Sequence, residues 1–167
     1  MARDKTLIIS AAATLLIADK GETVADVGYT RGGVSITKSI DTREILADQV
    51  RHPLYQTVES ERYEINFRLL QIDCANLKEG WGEADAVSGT TLKLGVYEEN
   101  PVSKEIQLYS KRKDDKYVKF TFYDAVLSST GAMAFTRDDE ALIEATFTAM
   151  YDDDEECVGL MEVTESV

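Results

Sequence analysis

The chain has 167 residues, 44% hydrophobic and 29% charged, enough for one domain with a real core and too apolar for a disordered chain. Eighteen Lys and Arg stand against 31 Asp and Glu, giving a formal net charge of −13. That balance argues against gripping DNA or an anionic membrane, because both depend on clustered cations.

The apolar run Leu7 to Ala18 is shorter than the roughly 20 residues of a spanning helix. Asp19 and Lys20 follow it at once, so neither a secretion signal nor a membrane anchor is expected. With two prolines, Pro53 and Pro101, and no repeat or charge shift, residues 1–167 read as one domain. Residues 1–13 are expected to be loose in a free subunit.

Taken in order, the elements are mostly strands. Thr14 to Ala18 and Val24 to Tyr29 are short strands, punctuated by Asp19-Lys20-Gly21 and Arg31-Gly32-Gly33. In Val34 to Ile40, Val34, Ile36 and Ile40 share one face, and Ser35, Thr37 and Ser39 the other. Glu44 to Gln49 is a further strand, and Val50 to Ser60 an extended, loose segment. Glu61 to Leu70 alternates Tyr63, Ile65, Phe67 and Leu69 against Arg62, Glu64, Asn66 and Arg68, the mark of a half-buried strand.

One helix is expected at about 73–81. Asp73 caps it, Cys74, Leu77 and Trp81 recur at helical spacing, and Gly80 and Gly82 stop it. Leu92 to Tyr97, Glu105 to Ser110, Lys116 to Val126, Ala141 to Tyr151 and Val158 to Val163 complete the strands, with Lys111 to Lys116 as a hairpin tip. The fold class is mostly β: an antiparallel β-sandwich or barrel with one short flanking α-helix.

Catalytic constellations fail on inspection. His52 is the one histidine, and Val50-Arg51-His52-Pro53-Leu54 reads as a loop or strand end, so His52 is a surface or interface residue rather than a triad member. Gly28-Tyr29-Thr30-Arg31-Gly32-Gly33 runs into Val34 and a strand, where a phosphate loop needs Lys-Ser/Thr and a helix. Asp152 to Glu156 lacks the alternating ligands of an EF-hand and reads as a solvated loop. Cys74 and Cys157 are far apart and outside any CxxC, which suggests two reduced thiols, with a disulfide between them left open. No catalytic residue, cofactor or metal site is expected.

Two features point toward assembly. Ser35, Thr37, Ser39, Glu64, Asn66, Glu144, Thr146 and Thr148 form the non-core sides of otherwise apolar strands. They are either an ordinary solvent face or the wet, anionic wall of a pore closed from such strands. The basic Lys111, Arg112 and Lys113 and the acidic Asp152, Asp153 and Asp154 occupy two turns, and are expected to meet across a subunit contact.

At Asp26-Val27-Gly28-Tyr29-Thr30-Arg31-Gly32-Gly33-Val34 the chain resembles tail tube (major tail) proteins of tailed phages, which often carry a similar glycine turn before a polar strand. Arg43-Glu44-Ile45-Leu46-Ala47-Asp48-Gln49 resembles their acidic-hydrophobic stretch ending in Asp-Gln, and Glu61 to Trp81 their strand leading into a short helix. The resemblance covers about residues 14–82. It implies a β-sandwich subunit forming hexameric rings that stack into a hollow tube, partnered by itself and by other tail proteins. DNA passes through the lumen without specific binding, and the protein resides in the virion tail after assembly in the host cytoplasm. Lys93 to Tyr123 has no counterpart and is expected as an outer-surface or inter-ring element. The other function class is a monomeric β-sandwich binding module, or another tube component of a virion or contractile system.

Overall fold

The computed structural model describes residues 5–9, 12–46, 52–82, 87–88, 91–95, 101–133, 135 and 139–165. After a short 3-10 turn, Lys5–Leu7, come β1 (Thr14–Asp19), β2 (Ala25–Asp26), β3 (Thr30–Ile45), β4 (Tyr55–Leu69), α1 (Cys74–Trp81), β5 (Val87–Ser88), β6 (Thr91–Leu92), β7 (Lys104–Lys111), β8 (Tyr117–Thr130), β9 (Ile143–Ala149) and β10 (Gly159–Thr164). β5 and β6 pair only with each other. The other eight strands form one antiparallel sheet in the order β2-β1-β7-β8-β9-β4-β3, with β10 added beside β8.

β8 organises this sheet. One edge pairs with β7, and the other pairs with β10 over Tyr117–Phe122 and with β9 over Ala125–Thr130. β9 and β10 therefore follow each other along β8, separated by a loop closed by an Asp152–Cys157 bridge.

The sheet curls on its apolar face without closing into a barrel, bringing Val34 and Ile36 of β3 to the same cleft as Leu108 of β7 and Phe120 of β8. Alternating residues supply the core: Leu15 and Ile17, Ile65, Phe67 and Leu69, Ile106 and Leu108, Phe122, and Ile143, Ala145 and Phe147. The Phe67 and Phe147 rings stack with centroids 5.7 Å apart.

α1 covers β9. Asp73 is its N-cap, accepting from the Asn76 backbone N–H at 2.8 Å, and Gly82 ends it in the left-handed region at φ 67. Gly80 lies so close to Ile143 that a Cβ there would sit 2.3 Å from Ile143 Cγ2. Buried Asn76 donates to the carbonyls of Val27 and Gln71, both at 2.9 Å, and pins the glycine turn to the helix.

Several expectations need revision. The strands expected at Val34 to Ile40 and from Glu44 onward are one continuous strand, since the polar stretch between them still pairs with β4. Gln49 and most of its neighbours lie outside the described residues. Tyr55 to Ser60 is not loose but the start of β4. Val24 to Tyr29 shortens to Ala25–Asp26, because Gly28 turns the chain at φ 83. The hairpin expected on an outer surface, β7–β8, runs through the middle of the sheet, since Ile106, Leu108, Phe122 and Ala125 enter the core. In the segment expected to be loose at the N-terminus, Ile9 bridges Arg112; residues 1–4, 10 and 11 lie outside the described residues.

Candidate assembly interface

Register places the candidate polar residues on one continuous face. Ser35 pairs with Asn66 and Asn66 with Thr146; Thr37 pairs with Glu64 and Glu64 with Thr148; Ser39 pairs with Arg62, and Arg68 with Glu144. Directly paired residues share a face, so all eight stand together across β3, β4 and β9. Thr146 Oγ1 donates to Asn66 Oδ1 at 2.6 Å, and Arg68 reaches Glu144 Oε1 from Nη2 at 2.9 Å and Nε at 3.0 Å. The row continues into β8 through Ser129, opposite Thr146.

The same two strands leave the body of the domain. Every residue from Ser35 to Ile45 and from Tyr55 to Arg62 is exposed. Beyond Tyr63, β4 loses β9 as a partner, and β3 and β4 continue as a two-stranded ribbon. Its outer end carries Ile45, Leu46, Leu54 and Tyr55, with 48%, 67%, 59% and 64% of their surface exposed. The ribbon splays from β10 and leaves a cleft of about 420 Å³ lined by Ile36, Tyr63, Phe120, Phe122, Leu160 and Met161. A free strand edge of this length, two open faces and apolar side chains at the tip are joining features that a solitary protein avoids.

The two charged turns have partners inside the chain. Lys111 pairs with Asp115 at 2.7 Å, holding the Asp115 carboxyl below its ordinary value, and Arg112 pairs with Asp114 at 2.8 Å. Asp152 is buried: it pairs with Lys20 at 2.8 Å and accepts from the backbone N–H groups of Asp154 and Glu155. Lys20, backed by these backbone donors, holds Asp152 below its ordinary value. Lys113, Asp153 and Asp154 are exposed.

A second ionic cluster was not legible in the sequence. Lys104, 3% exposed, pairs with Glu79 at 2.6 Å and closely with Asp19, joining α1 to β1 and β7. Its position in an alternating strand is the only sequence signal, and alternation says nothing of its partners.

The positions weighed for catalysis or ligand binding lie in separate parts of the fold. His52 is exposed at the far end of the ribbon. The glycine turn is a bulge, with Gly32 and Gly33 at φ 78 and 79 between the Thr30 and Val34 pairings. Cys74 and Cys157 are half-buried and unlinked. Among the described residues no three His, Cys, Asp or Glu side chains could hold a metal ion, and no helix is long and apolar enough to cross a membrane.

No protein-family model matches the chain, and no curated protein matches it in sequence. Solved structures do match in fold. One is a chain of the sheath/tube terminator of an extracellular contractile injection system, PVC, in its extended state: TM-score 0.50, 14% identity, covering 89% of this chain and 93% of that one. Another is a chain of the anti-feeding prophage baseplate, determined with 6-fold symmetrisation: TM-score 0.57, 9% identity, covering 100% of each. At such identities the shared property is the fold, over essentially the whole length of both chains.

Proposed function

We propose that this chain is a structural subunit of a tail-like tube. Copies join into six-membered rings that stack around a channel, and the hydroxyl-and-acid face of β3, β4 and β9 lines that channel for DNA to pass. The observation that carries the reading is the ribbon: one domain extends two strands with both faces exposed and an apolar tip, which a neighbouring copy would cover. A ring of copies related head to tail gives each ribbon a neighbour to rest on. The fold shared with subunits of contractile injection systems supports the reading, as does the 6-fold symmetry of one of those structures.

A second reading, a terminator or baseplate ring of the same fold, is favoured by the assemblies in which the matching chains occur. Electron microscopy of the purified protein at rising concentration separates them. Hollow filaments support the tube, and single rings that do not stack support the terminator or baseplate. A strict monomer at high concentration, even with preformed tube fragments added as seeds, leaves a solitary binding module and rejects both.

A further inference from the structure

The polar face is not free of cations. Arg31, Arg43, Arg62 and Arg68 all stand on it: Arg62 and Arg68 by pairing with Ser39 and Glu144, Arg43 by its alternation with Ser39, and Arg31 beside Arg68, Ser35 and Asn66 in one shallow depression. A surface that lets a polyanion slide should not carry free guanidinium groups, which are the side chains best shaped to grip phosphate. Yet each has a carboxylate beside it. Arg68 meets Glu144 at 2.9 Å, Arg62 meets Glu64 at 3.9 Å, Arg43 meets Glu59 at 3.9 Å, and Arg31 is in close contact with Glu140.

These pairs are half-exposed, so their worth to folding is small, in the range of about 0.2–1 kcal/mol for exposed pairs. Stability is therefore a weak reason for four arginines to have four carboxylates on one face. The geometry points to a different role: Glu59, Glu64, Glu140 and Glu144 occupy the arginines of this face and deny them to nucleic acid phosphate. The inference deepens the channel reading and rests on it for its purpose. The pairing itself belongs to the free subunit.

The test uses the full chain as a free subunit and a short fluorescent DNA duplex, with binding read by anisotropy over a salt series. One variant carries Glu59→Gln, Glu64→Gln, Glu140→Gln and Glu144→Gln. A control carries Asp153→Asn, Asp154→Asn, Glu155→Gln and Glu156→Gln, the same change in net charge in the exposed loop between β9 and β10. The face variant should gain affinity over the control. Its log–log salt slope should steepen by about 0.9 for each arginine that reaches a phosphate, up to four of them. Adding Arg68→Gln to the face variant should remove about one such step. Equal binding by face variant and control overturns the inference, as does a gain that Arg68→Gln leaves untouched. Circular dichroism confirms folding, and Glu144→Gln alone, expected to add one step, serves if the quadruple variant unfolds. Because the assay reads the free subunit, its failure is separate from failure of the channel reading, which is judged by where this face lies in an assembled tube.

Discussion

Shortening the ribbon separates assembly from folding. Removing residues 43–57 and joining Thr42 to Val58, which already face each other across β3 and β4, through an Asn-Gly turn gives a two-residue hairpin. The segment removed contains Ile45, Leu46, Leu54 and Tyr55, each about half exposed or more, and no described residue that enters the core. Among the described residues, the free subunit loses the exposed Arg43–Glu59 pair, the Gln56–Thr42 hydrogen bond and the solvent-exposed end of the β3–β4 ladder, Leu54 N–H to Ile45 C=O included. Its stability should therefore move by no more than about 1 kcal/mol. Full burial of such a side chain yields about 1.5–3 kcal/mol; with half already hidden, about 1 kcal/mol each remains for the neighbour to gain. Four side chains then give about 4 kcal/mol per contact, close to a thousandfold in the concentration at which the proposed rings would form. Urea unfolding measures the first quantity and sedimentation velocity over a concentration series the second. Assembly at the unaltered concentration refutes the idea that a neighbour buries the tip. A loss of several kcal/mol in the free subunit refutes the idea that the ribbon stands unsupported.

Gly80→Ala should lower stability by about 1–2 kcal/mol despite the gain of about 1 kcal/mol in helix propensity, because the new methyl meets Ile143 Cγ2; Ile143→Leu, unbranched at Cβ, should recover part of the loss in the same unfolding assay. Phe147→Ala, at a fully buried ring stacked on Phe67, should cost about 3–5 kcal/mol by chemical denaturation. Acid should weaken the fold through two aspartates. Lys20 lowers Asp152; partial burial opposes the shift at Asp19, but Lys104 and Lys78 outweigh it. A carboxyl lowered in the folded state contributes fully above its ordinary value of 3.8 and loses that contribution as pH falls below it, so melting temperature should drop there, and less steeply in Asp152→Asn.

Much of the fold was legible because its strands are half-buried. Tyr63 to Leu69 and Ile143 to Ala149 alternate between a core and a wet face, and register then set the eight polar residues side by side. Legibility failed where one face does not decide the residue type. From Thr37 to Ile45 neither side is buried, so the sequence lost its period and one long strand read as two. In β8, a register shift between the Lys104 and Ile106 pairings interrupts the alternation, so that Phe122 and Ala125, three residues apart, both enter the core. Asp152 read as one member of a solvated acidic run, because its partner Lys20 is remote in sequence and adjacent only after folding. The Arg31–Glu140 and Arg68–Glu144 pairs were hidden for the same reason: Arg68 and Glu144 are joined by register alone.

Register also governs how the subunit reaches its native state. β1 finds its partner in β7, where Ile17 meets Ile106, and β4 finds one in β9, where Phe67 meets Ala145. Such distant pairings slow folding toward the millisecond-to-second range. The β3–β4 hairpin is local and can form well before them. Each new chain thus displays its sticky tip while its interior is still open. Refolding should be efficient when dilute and lose yield as concentration rises, because exposed apolar tips of open chains then meet one another.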